Sequence, residues 1–586
     1  MAILFSSLIK NIFSRRGTSD DQAHVPALQR VYRLQQEGDL SGAREACQDV
    51  LSRYPRHARA HFELGKMHGQ AGDLDSAFHH LQQAITLAPE FGGARAALGN
   101  VHGLRGDKDA AEAYYRAALT LDPDLPEAHH NLALFLKRPG RFEEALRHFE
   151  RAAALVPDFI DATKERALCL IHLARYDEAE GLLGRELARH PDTAALHACM
   201  GLMYHKTYRR TEALTCYETA QRLGHIDAEF YMNLGAVLQD LGRIDEALNY
   251  YDRAIASQAD PKLRKEPRFL RALAWLLTAD FSVWPDYEIR LEDEELPRRE
   301  RIFPRWDGDE LKGRTILVHG EQGLGDEIMF ASCLPDVIAR AEYCVIECTP
   351  KLEKIFRRSF PVATVYAATA ERRTQGRNAA CGVDCEVPIG SLPLHFRRRA
   401  ADFPQHKGYL QADPAREKYW RQRLAGLGAG IKVGISWRGG THNTRSPLRS
   451  IPLDQWLPIL RVGGARFVSL QYDDSGEDLR NFSAGNSIDV AHWQEAIADY
   501  DETAALVSAL DLTISVCTSI IHLGGALGRP VWVMAPYSPE WRYGFAGETM
   551  TWYPSVRIFR QPAFGEWMPV VAKVEQALRE LDHPAH

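Results

Sequence analysis

The chain has 586 residues, enough for roughly three or four domains with cores of their own. Its 45% hydrophobic and 25% charged residues are those of an ordinary soluble globular protein, and a formal net charge of -7 gives no support to nucleic-acid binding. The ten cysteines show no framework of close spacings, which points to reduced thiols in a cytoplasmic setting. Cys344 with Cys348, and Cys381 with Cys385, lack a second pair at zinc-finger distance, so no metal site is expected of them. The basic run Arg397, Arg398 and Arg399 reads as a solvated face.

Residues 1–22 open with apolar Ile3, Leu4, Phe5, Leu8, Ile9, Ile12 and Phe13 beside basic Lys10, Arg15 and Arg16. The stretch is too short to span a bilayer, and its charge follows the apolar run, unlike a secretory signal. The favoured reading is a chain end or an extra helix; membrane contact through residues 1–16 is the alternative. No segment reads as transmembrane.

Residues 23–261 form a repeat array. Ala43, Ala77, Ala111, Ala145, Ala179, Ala213 and Ala247 recur every thirty-four residues without insertion. Gly65, Gly99, Gly201 and Gly235 lie twelve residues before these alanines, with Ala133 and Ala167 at the same place in two repeats. Pro55, Pro89, Pro123, Pro157 and Pro191 lie twelve after. The combination resembles the tetratricopeptide repeat, a helix-turn-helix unit. Small residues sit where helices approach closely, and the prolines end the second helix of each pair. Such solenoids hold polypeptides, so a protein or peptide partner is expected.

Residues 262–314 read as a helical connector, with Trp275, Trp284 and Trp306 suggesting a packed joint. From Thr315 short apolar runs alternate with helical ones, the mark of α/β structure with parallel sheets. A first lobe over 315–420 has strand Ile316–Val318, a glycine loop, a helix from about Glu327 to Ala341 and strand Tyr343–Cys348. A break near 413–419 precedes a second lobe over 421–586. Its strands are expected at Lys432–Trp437, Arg466–Leu470, Leu512–Val516 and Val531–Ala535, its helices near Leu453–Val462, Glu502–Ala509 and Ser519–Leu527, and a final helix at Pro569–Leu581 follows an irregular stretch. Two Rossmann-like lobes suggest an enzyme with a cleft between them.

Chemistry-bearing residues gather at expected strand ends. The first loop carries Gly323, Gly325, Asp326 and Glu327; its acidity disfavours a pyrophosphate there. Asp326 either takes a proton from an incoming hydroxyl or caps the helix. After the first strand of the second lobe come Arg438, Arg445 and Arg449, placed where parallel sheets bind ligands and of the type that grips phosphate. Thr518 and Ser519 open a helix and so offer an anion site, which His522 faces unless it is a packing residue. Tyr537 or Trp541 could stack on a base, although aromatics in such loops more often pack. The acid pairs Asp307 with Asp309 and Asp499 with Asp501 read as turn and helix caps, so no essential metal is expected.

These residues, with His522 to Pro530 reading His-Leu-Gly-Gly-Ala-Leu-Gly-Arg-Pro, make Thr315 to Arg542 resemble glycosyltransferases of the two-lobed GT-B type related to lipopolysaccharide heptosyltransferases. The resemblance implies Asp326 as general base and Arg449 as ligand of the donor phosphates, supported by Arg438 and Arg445. Cys517 stands where that family tends to carry an aspartate that holds the sugar, which puts a heptose donor in doubt. Fusion to tetratricopeptide repeats also resembles O-GlcNAc transferases and bacterial flagellin glycosyltransferases. The donor-binding lysine of the O-GlcNAc enzymes is missing from Val468 to Tyr472, so the flagellin type is preferred. The resemblance thus implies a metal-independent, inverting protein O-glycosyltransferase without a cofactor, using a CMP- or UDP-sugar. Its acceptor would be a protein in the repeat groove, with flagellin suspected. An interaction scaffold with a non-catalytic nucleotide-sugar domain, or a lipid or polysaccharide glycosyltransferase, are the alternatives.

Overall fold

The computed structural model describes residues 25–137, 140–292, 302–369, 382–440, 446–472 and 476–582; residues 1–16, Cys381 and Arg445 fall outside these. The chain gathers into two compact units, residues 1–225 and 226–586.

The first unit holds six helix pairs of a tetratricopeptide solenoid, from Val25–Gln36 with Leu40–Arg53 to Ala194–Lys206 with Arg210–Arg222. A seventh pair, Ala228–Asp240 with Ile244–Ser257, belongs to the second unit. All seven periodic alanines are 0% exposed. The glycines explain themselves: a Cβ on Gly99 would lie 2.7 Å from the Tyr115 ring, and one on Gly235 2.8 Å from the Tyr251 ring. Each large side chain sits sixteen residues after its small partner and fills the room left by the missing methyl. Pro55 and Pro89 stand two residues beyond helices ending at Arg53 and Leu87, where a helix cannot continue. The turn inside each pair is periodic as well. Gly38, Gly72, Gly106, Gly140 and Gly242 take left-handed φ of 75 to 83°, and Ala174 (57°) and Tyr208 (65°) hold the same place without glycine's freedom. Asp39, Asp73 and Asp107 follow the turn and cap the next helix, accepting from Gly42, Ser76 and Ala110 N–H.

In the second unit the stretch after the repeats contains the helix Lys265–Leu277 and short turns through Glu292. Trp284 is buried and donates from Nε1 to Arg397 O at 2.8 Å. Arg397 is no solvated residue: it is buried, donating to Asp336 Oδ2 at 2.7 Å and Ser332 O at 2.9 Å.

Two sheets follow. Strands β1 (Thr315–His319), β2 (Tyr343–Cys348), β3 (Thr364–Ala367) and β4 (Cys385–Pro388) pair in parallel in the order β3-β2-β1-β4. The larger sheet comprises β5 (Ile431–Ser436), β6 (Ala465–Ser469), β7 (Val490–Ala491), β8 (Leu512–Val516), β9 (Val531–Ala535), β10 (Thr549–Met550) and β11 (Tyr553–Arg560). Its order is β10-β11-β9-β8-β5-β6-β7, parallel except for β10 against β11. The chain reverses its direction of travel between β1 and β4 and between β5 and β8. In open parallel sheets ligands lie beyond the carboxyl ends of the strands at such points.

Three expectations change. The first helix of the small sheet begins at Leu324 and breaks after Phe330, so Asp326 sits in its first turn. The region 413–419 is no break: Asp413 caps a helix, Pro414–Ala425. The stretch before the final helix, Met568–Asp582, contains β11, which adds to the sheet beside β9.

Candidate functional site

The site is built from loops at both reversal points. After β1, Glu321 Oε1 accepts from Gly390 N–H at 3.0 Å and Arg290 Nη2 at 2.6 Å, tying the loop to the one after β4. Gln322 has φ +63°, a left-handed turn that brings the chain into the helix Leu324–Phe330. Gly323 N–H donates to Asp326 Oδ2 at 3.3 Å, so Asp326 partly caps its own helix. Glu327 turns the other way: its carboxylate accepts from Thr349 N–H at 2.9 Å and from the Thr349 hydroxyl. Burial pushes this carboxyl above the usual carboxylate range, and Glu327 serves the end of β2 and not the site.

In the larger sheet Gln471 gathers the end of β5. Its Oε1 accepts from Ser436 Oγ, Trp437 N and Arg438 N at 3.2, 3.1 and 3.0 Å. The loop then passes against the end of β8, where a Cβ on Gly439 would lie 2.8 Å from Cys517 O and 2.9 Å from Thr518 Cγ2. Thr518 caps the helix Ser519–Ala526, accepting from Ile520 N–H at 3.3 Å. A Cβ on Gly325 would lie 3.0 Å from His522 Cδ2 and 3.6 Å from Ser519 Cα, so Gly325 lets the helix starts from the two sheets meet.

A chain of alternating charge crosses this meeting point. Arg542 Nε donates to Asp326 Oδ1 at 2.6 Å, and Arg542 Nη1 to Glu540 Oε2 at 2.7 Å. Glu540 Oε1 in turn accepts from Arg449 Nη1 at 2.5 Å. Asp326, Arg542 and Arg449 are 15%, 16% and 13% exposed at the side chain, whereas Glu540 is 35% exposed. Pairs this sheltered are screened far less than surface ones. Burial disfavours the charged form of Arg542, but the carboxylates of Asp326 and Glu540 outweigh it and raise its pKa.

Asp326, Arg449, Thr518, Ser519 and His522 therefore converge, joined by Glu540 and Arg542, which sequence reasoning passed over. Their only signal was charge in the loop after a parallel strand, beside the two aromatics singled out there. Other expectations do not hold in the same form. His522 is buried, with Nδ1 3.2 Å from Tyr553 OH and Nε2 3.5 Å from Tyr543 OH. Burial, aided by Arg542, lowers its pKa to about 3, so it is a neutral packing residue beneath the site and no cationic phosphate ligand. Tyr537 leaves the site, its hydroxyl donating to Leu241 O at 3.4 Å, while neighbouring Ser538 donates to Asp240 Oδ1 at 3.0 Å. Trp541 packs among Trp284, Tyr287, Phe330 and Trp552 with ring centroids 5.8 to 6.4 Å apart. Neither aromatic is placed to stack on a base. Arg438 lies apart from Arg449, its Nη1 3.5 Å from Asp478.

Among the described residues no group of three or more His, Cys, Asp or Glu is arranged to hold a metal. Asp499 caps its helix and accepts from Lys354, and Asp501 pairs with Arg358. Also among the described residues, no helix is long and apolar enough to cross a membrane.

Comparison with known proteins bears on the whole chain. Tetratricopeptide repeat families match residues 28–90, 68–126 and 228–259, and the middle TPR-like domain of cilia and flagella-associated protein 70 matches 102–224. Protein FlbA of Caulobacter vibrioides is 32% identical over 420 residues, covering 68% of this chain and 69% of that protein. The chain belongs to the FlbA family. The shared length cannot be held by the array alone, whose last helix ends at Ser257, so the likeness to FlbA extends into the sheet-bearing part. Among solved structures, a tetratricopeptide protein from Parabacteroides merdae is 17% identical, covering 43% of this chain and 99% of that one with a TM-score of 0.36. One from Thermus thermophilus is 25% identical, covering 30% and 98% with a TM-score of 0.28.

Proposed function

We propose that this FlbA-family chain is a protein O-glycosyltransferase whose two sheets form a GT-B pair of lobes. The single observation that supports it most is the line of charge from Asp326 to Arg449, at the carboxyl ends of strands from both sheets. The repeat array binds the acceptor polypeptide, for which the resemblance to flagellin glycosyltransferases favours flagellin, in the cytoplasm. The donor is a CMP- or UDP-sugar. Asp326 takes the proton of an acceptor Ser or Thr hydroxyl as its oxygen bonds the anomeric carbon. The bond from that carbon to the phosphate oxygen breaks, and the nucleotide phosphate leaves with the electron pair while Arg449 and Arg542 balance its charge. Inversion at the anomeric carbon needs one base and no covalent intermediate.

One observation favours a second reading, an interaction scaffold that has lost turnover: Asp326 is already paired with Arg542, which weakens it as a base. Nucleotide release decides between them. Purified full-length protein given CMP- and UDP-sugars with acceptor should release nucleotide, and Asp326→Asn should lose release while keeping nucleotide affinity. Release that survives in Asp326→Asn removes the proposed base; absence of release from the wild-type protein with every donor and acceptor favours the scaffold.

A further inference from the structure

Glu540 stands between two guanidinium groups in a way the proposed reaction does not use. One carboxylate oxygen meets Arg449 at 2.5 Å and the other meets Arg542 at 2.7 Å. A single anion bridging two arginines through separate oxygens is the arrangement that a phosphate adopts between the same groups. The arginines are largely buried, but Glu540 is 35% exposed and is the member of the chain best able to leave. Arg449 also has donor capacity to spare: its buried Nε has no hydrogen-bond partner among the described residues. A phosphate carries more charge and more acceptor oxygens than a carboxylate, so it can replace Glu540 and satisfy both arginines.

The loop that carries Glu540 is fixed close by. Ser538 and Tyr537 hold it to Asp240 and Leu241, and Trp541 is packed among aromatic rings. Only the side chain of Glu540 needs to swing for the seat to open.

We propose that Glu540 is a resident counter-anion, occupying the seat of the donor's phosphate between Arg449 and Arg542 and setting the affinity for nucleotide. The inference rests on the glycosyltransferase reading, since it takes the ligand to be a nucleoside phosphate. The seat keeps the two arginines compensated when no donor is bound. It also holds Arg542 against Asp326, so arrival of the phosphate would loosen that pair and free the carboxylate for the acceptor proton.

The test is calorimetric binding of UDP, CMP and inorganic phosphate to full-length protein at fixed ionic strength. Glu540→Gln keeps the shape and removes the charge; its affinity for the preferred nucleotide should rise by about tenfold or more. Adding Arg449→Ala to that variant should abolish the gain. Glu540→Asp keeps the charge but is one methylene too short to span both arginines, so it should also bind more tightly than wild type. It serves as the second probe should Glu540→Gln fail to fold. If wild type binds nucleotide and both variants bind equally or more weakly, the counter-anion role is overturned while the wider reading stands. If no form binds any of the three probes, both fall.

Discussion

Replacing glycine by alanine at two helical positions should move stability in opposite directions. Gly184 lies in the helix Tyr176–Arg189, is exposed, and has nothing within 4 Å of where a Cβ would go. There only helix propensity acts, and Gly184→Ala should stabilise by about 1 kcal/mol. Gly325 gains the same propensity, but its new methyl would lie 3.0 Å from His522 Cδ2 and 3.6 Å from Ser519 Cα. The ring cannot easily give way, because hydroxyls of Tyr553 and Tyr543 face its two nitrogens at 3.2 and 3.5 Å. Overpacking of this kind costs about 1–3 kcal/mol, so the net effect of Gly325→Ala is a loss of about 1–2 kcal/mol. By the usual scaling for larger domains this lowers the transition of the second unit by about 2–5 °C in scanning calorimetry. Stabilisation by Gly325→Ala comparable to that of Gly184→Ala would show that the two helix starts do not meet there, and the site would lose its geometry.

Other outcomes follow from the same contacts. Ala174 is exposed and held at φ 57°, so Ala174→Gly should raise the melting temperature of the repeat array, by about 1 kcal/mol in stability. An unchanged or lower value would count against the strained turn. Arg397→Met removes buried bonds to Asp336 and two carbonyls; because Asp336 is itself 39% exposed at the side chain, the loss should be about 2–3 kcal/mol in urea titration, and a neutral result would return Arg397 to the surface. His522 is neutral in the fold and has its pKa lowered to about 3, whereas an unfolded histidine takes a proton near pH 6.5. The unfolded state therefore binds the extra proton as pH falls, and stability is lost between pH 6.5 and about 3 at about 1.4 kcal/mol per pH unit. His522→Asn should flatten that slope by one proton; an unchanged slope would mean that the ring is not buried as a neutral group.

The repeat array is legible because its period is written in small residues that nothing else can replace. Gly99 and Gly235 lie under tyrosine rings, and every periodic alanine is fully buried. Strands β2, β8 and β9 are equally plain, being short apolar runs buried on both faces. β4 hides because it is four residues long and ends in Pro388, and β11 because Pro554 and polar residues interrupt its pattern. At the site, local chemistry pointed to Asp326, Arg449 and Thr518, each at the end of a strand. The partners were not legible: Arg542 stands 216 residues from Asp326, and only the folding of both sheets together reveals which charges meet. His522, Tyr537 and Trp541 show the reverse limit. Their spacing admitted a binding role, but neighbouring tyrosines, the Leu241 carbonyl and an aromatic cluster claim them for packing.

The most direct measurement of the central claim is the intact mass of flagellin from cells carrying the wild-type protein or Asp326→Asn. The account predicts a sugar-sized increment with the wild type that is absent with the variant, although the variant accumulates as folded protein. An equal increment with both proteins, or flagellin of unmodified mass with the wild type, would contradict it.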